Sequence, residues 1–286
     1  AAIRGPGPLV PGPVGPAGPS PRPVGGDTSG ERADRVLHGA GWGAFGKRAR
    51  AVPGRSVVTQ PHQHSVEAGA RGGETREDVA RGQAAALLRE NDEQMKRYVD
   101  ILTSVGVTRG LLGPREPARI WSRHILNCAA LCGLLPQGSE VIDIGSGAGL
   151  PGLVVAIARP DLRITLLEPM LRRTTFLGEV VEELGLSGRI TVTRGRAEDC
   201  TGAHEIVTAR AVARLPRLLE WTARLIAPGG RLLALKGDSA RNEIDEAAPL
   251  LRASGLVADV VPVRAHPDAE ATNVVTVARA PRVRRR

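Results

Sequence analysis

With 286 residues, 42% of them hydrophobic but only 2% aromatic, the chain can bury the core of one large domain or two modest ones. Its net charge of +9 lies mostly near the ends, because residues 1–80 carry ten basic against seven acidic residues and the last five residues hold four arginines. Composition therefore excludes a strongly basic folded body: only about +2 remains for residues 81–281, and the basic tail over 281–286 is the main attraction for a polyanion.

The first segment in chain order is rich in glycine and proline. Residues 1–80 hold 16 of the 35 glycines and 10 of the 22 prolines, with almost no periodic apolar pattern. Such a segment buries too little surface to offset the entropy of ordering it, and the absence of a strict Gly-X-Y repeat excludes collagen. We therefore expect a disordered extension over residues 1–75 whose deletion leaves activity intact.

The next segment, residues 76–137, has the pattern of a small helical region. Apolar residues recur at helical spacing over 76–103, and a second helical pattern runs over 118–135. Glycines and prolines lie between the two patterns, and Pro136 and Gly138 end the second one.

Strand and helix patterns alternate over residues 138–280. We expect strands over 140–144, 162–168, 189–193, 205–209 and 231–236, helices from Pro151 onward and over 170–185, 214–226 and 240–254, and an antiparallel hairpin over 256–263 and 273–279. Alternation with short loops predicts the α/β class, a mostly parallel sheet with helices on both faces. Ligands of such sheets bind at the carboxyl ends of the strands, near the point where the strand order reverses.

Cysteine content and hydropathy exclude two further classes of protein. Cys128, Cys132 and Cys200 are too few for a disulfide framework, and their spacing lacks the paired cysteines or histidines of a zinc site, so we expect no metal. No stretch approaches the roughly 18 apolar residues of a membrane span, and no charged-then-apolar signal segment opens the chain. We therefore expect a soluble, cytoplasmic protein with no membrane partner.

The first strand and the loop that follows it, residues 141–152, carry the strongest functional signal. Its glycines alternate, at Gly145, Gly147 and Gly149. They let the backbone turn sharply into a helix and approach a ligand closely, although a turn needed only for tight packing would use the same residues. Asp143 in this strand and Glu168 at the end of the next one place two acids beside the loop. This combination favours a cofactor that carries a nucleoside.

The spacing of the glycines in the loop distinguishes between two cofactors that carry a nucleoside. A dinucleotide fingerprint, Gly-x-Gly-x-x-Gly, would place its third glycine at position 150, which is Leu150. Asp143 would repel a pyrophosphate but favours the sulfonium of S-adenosylmethionine, and Glu168 can accept hydrogen bonds from both ribose hydroxyls. We therefore expect S-adenosylmethionine, with a nicotinamide-dependent oxidoreductase as the alternative.

The loop belongs to a longer set of motifs. It ends in Leu-Pro-Gly at 150–152, follows Arg-His-Ile-Leu-Asn at 123–127 and precedes Arg-Pro-Asp at 159–161. Further segments are Leu-Leu-Glu at 166–168, Arg172-Arg173, Phe176-Leu177, Arg-Ala-Glu at 196–198, Thr-Ala-Arg-Ala at 208–211 and Ala-Leu-Lys-Gly at 234–237. Together, over about residues 80–280, they resemble the RsmG (GidB) family, although residues 109–116 depart from the Asn-Leu-Thr stretch of many members.

The resemblance implies a class I, Rossmann-like methyltransferase. Its implied activity is transfer of a methyl group from S-adenosylmethionine to N7 of one guanine, position 527 of 16S rRNA, with the small ribosomal subunit as partner. Carried over by position, the donor site is Gly145, Leu150, Glu168, Ala197, Glu198 and Arg210, to which the argument from the loop adds Asp143, Gly147 and Gly149. We expect a monomer. The alternatives are a methyltransferase of the same fold acting on another RNA or a small molecule, and a donor-binding module without catalysis.

Guanine N7 carries a lone pair and no proton, so the implied transfer needs no general base and depends on positioning and polarity. We therefore predict no certain catalytic residue. Arg123, His124 and Lys236 are positioning candidates, and Arg210 is expected to face the cleft from a strand end. Each has a structural alternative: a solvated helix charge, a hydrogen-bonded buried histidine, a lysine flanking a turn. Likewise, Glu198 either holds the adenine or caps the helix that follows.

Overall fold

The computed structural model describes residues 74–280. The expectations for the extension before residue 74 and for the basic tail lie outside the described residues. Thr75 was predicted to belong to the extension, but it caps the first helix instead. Its hydroxyl accepts the backbone N–H of Asp78, and the Asp78 carboxylate accepts the backbone N–H of Thr75, so the two residues form a capping box.

The helical region consists of short segments. Its α-helices are α1 Arg76–Leu88, α2 Asp92–Ile101 and α3 Leu126–Ala129, with single 3₁₀ or π turns at Arg89–Asn91, Leu102–Gly106, Pro117–Arg119, Ile120–Ile125 and Ala130–Leu134. The helix predicted over 76–103 is interrupted at Arg89, whose φ of +50° lies outside the right-handed α region and ends α1. Tyr98 on α2 is buried, and its hydroxyl donates to the carbonyl of Ala148 at 2.9 Å. The helical region is thereby fastened to the glycine loop.

The strands and remaining helices alternate as the sequence predicts. The strands are β1 Glu140–Ile144, β2 Arg163–Glu168, β3 Ile190–Arg194, β4 His204–Arg210, β5 Ile226–Lys236, β6 Leu256–Val263 and β7 Thr272–Arg279. The helices are α4 Gly152–Ala158, α5 Leu171–Glu183, α6 Leu215–Thr222 and α7 Ala240–Ala253. Several boundaries shift by one or two residues, α6 ends at Thr222 rather than at 226, and two of the differences involve proline or glycine. Pro151 precedes α4 rather than starting it, with a cis Leu150–Pro151 bond, and β5 begins at Ile226 because residues 228–230 lie within that strand.

The seven strands form one sheet in the order β3-β2-β1-β4-β5-β7-β6. The first five are parallel, while β7 runs antiparallel to both β5 and β6. This confirms the predicted α/β class and the closing hairpin. The strand order reverses between β1 and β4, so the loop that leaves β1 lies at the position where ligands of such sheets bind.

Alternate residues of β1 pack on opposite faces of the sheet. Val141 joins the core that the helical region, α4 and α5 cover, whereas Ile142 joins the core under α6 and α7. Both faces are therefore shielded, as a parallel sheet requires. Within residues 74–280, no helix combines the length and apolar composition needed to cross a membrane.

Candidate functional site

Asp143 lies beneath the glycine loop and is completely buried. Its Oδ1 accepts the hydroxyl of Thr208 on β4 at 2.9 Å, and its Oδ2 accepts the backbone N–H of Gly152 at 3.2 Å. Burial raises the pKa of Asp143 to about 6 despite these hydrogen bonds. The carboxylate lines neither of the two cavities described below. Both oxygens of Asp143 contact groups inside the fold and join β1, β4 and α4, whereas the sequence places this acid beside the donor.

Glu168 at the end of β2 is also buried, but it lines a cavity. Its Oε2 accepts the N–H of Gly147 and its Oε1 the N–H of Met170, both at 3.0 Å. Arg173 Nη1 lies 3.7 Å from Oε2. Each carboxylate oxygen has a second lone pair, so Glu168 can still accept hydrogen bonds from ligand hydroxyls.

This cavity, the smaller cavity, has a volume of about 250 Å³ and lies at the carboxyl ends of β1 and β2. Four of the predicted cofactor residues meet there, which are Gly145, Glu168, Ala197 and Glu198. Other residues line it that were not predicted for the donor site: Leu167, Arg173 and Arg196 belong to the quoted motifs, whereas Met170, Val212 and Trp221 do not. Most of them lie at or just past a strand end, a location that the strand predictions alone could have indicated.

The other predicted loop residues, Gly147, Gly149 and Leu150, line neither cavity. A Cβ on Gly149, whose φ is +100°, would lie 2.8 Å from Cγ of Leu153. Leu150 is half-buried against the core. Gly149 therefore allows the turn to pack against α4, because Leu153 leaves no room for a side chain at that position.

A larger cavity of about 790 Å³ lies between the helical region and the ends of β4 and β5. Its basic side chains are Arg76, Arg119, Arg123, Arg210, Arg214 and Lys236, against the acids Glu77, Asp238, Glu243 and Glu270. The positive excess favours an anionic or electron-rich ligand. Ala211 and Val212 line both cavities, so the two spaces adjoin there. Ala211 has a φ of +55°, a costly conformation that functional sites often retain.

Arg210, at the end of β4, lines this larger cavity and not the smaller one in which the sequence placed it. Its Nη2 lies 2.6 Å from His124 Nδ1, and its Nη1 lies 3.1 Å from Cys128 Sγ. His124 is 8% exposed, and its Nε2 lies 2.6 Å from Glu116. Glu116 was not predicted as a site residue. The signal available in the sequence was its position, because it is an acid directly before Pro117, which precedes the second helical pattern.

Lys236 and Arg123 differ in how freely they can bind a ligand. Lys236 Nζ donates to the carbonyl of Ala213 at 2.6 Å and lies 2.8 Å from Glu243, so it secures the connection between β4 and α6. The Arg123 side chain is 58% exposed, and its Nε lies 3.8 Å from a Glu116 oxygen. Of these two candidates, Arg123 keeps more freedom to contact an RNA.

Comparison with known proteins identifies the family. The model of the GidB family, described as rRNA small subunit methyltransferase G, matches residues 91–271, more than half of the chain. The chain belongs to this family. The ribosomal RNA small subunit methyltransferase G of Thermobifida fusca is 52% identical over 197 residues, covering 68% of this chain and 83% of that protein. The same enzyme of Kineococcus radiotolerans is 47% identical over 234 residues, covering 80% and 86%.

The segment that matches the methyltransferase G family includes every residue of the smaller cavity, and also Glu116, His124 and Arg210. The resemblance inferred from the motifs is confirmed. Among solved structures, a SAM-dependent O-methyltransferase from Thermotoga maritima is 16% identical, with a TM-score of 0.43 over 56% of this chain and 66% of that chain.

Proposed function

We propose that this protein methylates N7 of a guanine in 16S rRNA, at position 527, with S-adenosylmethionine as the donor. The observation that carries the proposal is the pair of adjoining cavities, one built around Glu168 and one lined with arginines, in a member of the methyltransferase G family. We infer further that the protein acts as a monomer on the small ribosomal subunit in the cytoplasm, with residues 138–280 as the methyltransferase domain and 76–137 as its helical region.

The smaller cavity fits the nucleoside part of the donor. Glu168 has free acceptors for two ribose hydroxyls, and the apolar side chains of Leu167, Ala197 and Val212 suit a flat base. Its volume of about 250 Å³ lies just below the ~300–1,000 Å³ usual for small-molecule sites, as expected for a space that takes only part of the ligand. Gly145, Glu168, Ala197 and Glu198 would hold that part. When bound, S-adenosylmethionine supplies a methyl group activated by its sulfonium.

The larger cavity fits the target nucleotide. N7 must keep its lone pair free for the methyl group, so a donor such as Arg210 or Arg123 would bind the neighbouring O6 or a phosphate instead. The nitrogens of His124 are already committed to Arg210 and Glu116 and do not act as a base. This agrees with chemistry in which no proton is removed and the positive charge passes from sulfur to the purine as the methyl group moves.

The test uses small ribosomal subunits from cells in which the gene for this protein is deleted. Purified protein and radiolabelled donor should place one methyl group per subunit, and borohydride reduction followed by aniline scission should cleave 16S rRNA at the methylated guanine. Large subunits serve as the control and should stay unlabelled. Label at another atom or another nucleotide would contradict the proposal, and donor binding with no transfer would indicate a module without catalysis.

A further inference from the structure

Glu116, His124 and Arg210 form a continuous hydrogen-bonded chain from the helical region to the sheet. Glu116 Oε2 lies 2.6 Å from His124 Nε2, and His124 Nδ1 lies 2.6 Å from Arg210 Nη2. Glu116 immediately precedes the turn Pro117–Arg119, His124 belongs to the turn Ile120–Ile125, and Arg210 ends β4. The chain thus connects three parts of the fold at the wall of the larger cavity.

The hydrogen-bond partners of His124 determine which nitrogen of its imidazole ring carries the proton. A guanidinium has only donors, so Nδ1 of His124 must accept the hydrogen bond from Arg210 through its lone pair. The ring proton is therefore on Nε2, facing Glu116. Hydrogen bonds from Arg119 and His124 lower the pKa of Glu116 to about 2, so it is ionised and accepts a charge-assisted hydrogen bond from the Nε2–H.

The groups around His124 keep its ring neutral. Burial and the positive charge of Arg210 lower the pKa of His124, and Arg123 acts more weakly in the same direction. Glu116 opposes them. A neutral ring with one defined tautomer is what a fixed acceptor for Arg210 requires.

Arg210 retains free donors after these contacts. Besides His124 and Cys128, Nη2 reaches the carbonyl of Arg123 at 3.5 Å. Three of its five N–H groups therefore have partners, and no residue of the described chain accepts the other two. The guanidinium is only half-buried and borders the larger cavity.

We propose that Glu116 and His124 are positioning residues for the transfer: they fix the Arg210 guanidinium so that its remaining N–H groups bind the target nucleotide. The inference rests on the proposed function. A long side chain at a strand end has many rotamers, and holding it in one removes that entropy cost from nucleotide binding. Neither residue touches substrate; both act through Arg210.

A matched pair of substitutions tests this role. In His124→Asn the amide oxygen lies near the place of Nδ1 and can still accept from Arg210. In His124→Gln the amide lies near the place of Nε2, so it keeps Glu116 and loses Arg210. We expect kcat/KM for the small subunit to fall about tenfold or more in His124→Gln, which loses the contact with Arg210, and to fall less in His124→Asn, which keeps that contact and loses the one with Glu116. Donor affinity by calorimetry should change in neither variant.

If His124 had only a structural role, the rates of the two variants would not depend on which hydrogen bond each variant keeps. The rates would then follow the melting temperatures of the two variants, whichever amide was present. Equal rates in the two variants, or wild-type kcat/KM in His124→Gln, would overturn the inference.

A second measurement needs no variant to be active. Nitrogen NMR of the wild-type full chain at pH 7 should show a neutral ring protonated at Nε2, with the signal assigned through its loss in His124→Asn. A ring protonated at Nδ1 or at both nitrogens would overturn the inference. If the wild type methylates no guanine of the subunit, the proposed function fails, while the tautomer still decides whether this chain of hydrogen bonds exists.

Discussion

Asp143 Oδ2 lies 3.2 Å from the backbone nitrogen of Gly152, so the end of β1 is joined to the first residue of α4 underneath the loop that the two elements enclose. The same carboxylate accepts the Thr208 hydroxyl from the neighbouring strand. One buried acid therefore fixes the turn at the point where the strand order reverses. The outer side of that turn borders the smaller cavity.

A methyl group at Gly152 should break this arrangement. A Cβ there would lie 2.8 Å from Asp143 Oδ2 and would also collide with Leu166, so Gly152→Ala should cost about 2–3 kcal/mol of unfolding free energy. Gly178→Ala is the matched control, because this glycine lies within α5 with open space around its Cα. It should gain about 0.5–1 kcal/mol. Urea unfolding of both variants checks the pair, and equal stabilities would contradict the close approach.

Asp143 should also make stability depend on pH. Its pKa is about 6 when folded against an ordinary 3.8, so its contribution is fully present below about pH 4 and is lost as the pH rises through 6. Asparagine cannot ionise, and it can keep both hydrogen bonds by accepting from Gly152 and donating to the Thr208 oxygen. Asp143→Asn should therefore gain stability relative to wild type from pH 4 to pH 7, by up to about 3 kcal/mol.

Denaturant unfolding at several pH values measures this difference, with the exposed Asp245→Asn as control. The control should run parallel to wild type throughout. If Asp143→Asn also ran parallel, the buried carboxylate would not be the source of the pH dependence.

Replacement of Glu168 should weaken donor binding. In Glu168→Gln the new NH₂ group would face an N–H donor of Gly147 or Met170, and the charged acceptor for ribose hydroxyls would be lost. We expect the Kd for S-adenosylmethionine to rise about tenfold or more. Glu179→Gln, which removes an exposed carboxylate on α5, should leave it unchanged. Calorimetry decides, and equal Kd values in the two variants would remove Glu168 from the donor site.

Ala211 should matter more for transfer than for stability. Its φ of +55° is costly for alanine by about 1–2 kcal/mol, and glycine avoids this cost but has more entropy to lose on folding. Ala211→Gly should therefore be about as stable as wild type, or slightly more so, while transfer slows because the wall between the two cavities loses its fixed conformation. Arg89→Gly is the control. Arg89 has a similar φ of +50° but lies far from Ala211 in the sequence, so this variant should keep the wild-type rate. Full transfer by Ala211→Gly would show that the strained backbone has no role there.

The elements of the fold followed from local pattern. Periodic apolar residues predicted each strand of the sheet, and alternating glycines predicted the functional loop. Glu168 could be predicted as a donor residue because the end of a strand next to a glycine loop is itself a local feature. Two of the boundaries that differed, at Pro151 and at residues 228–230, involve proline or glycine whose conformation depends on the neighbouring strand or helix.

The sequence by itself determined the fold class, the loop and the family, because hydrophobic periodicity and motif spacing are properties of short segments. Only the tertiary structure decided that Asp143 points inward to Thr208, 65 residues away, and that Arg210 turns toward His124, 86 residues away, rather than toward the smaller cavity. The direction of a buried polar side chain is set by the partners that can satisfy it, and those partners come from strands and turns whose pairing no local pattern contains.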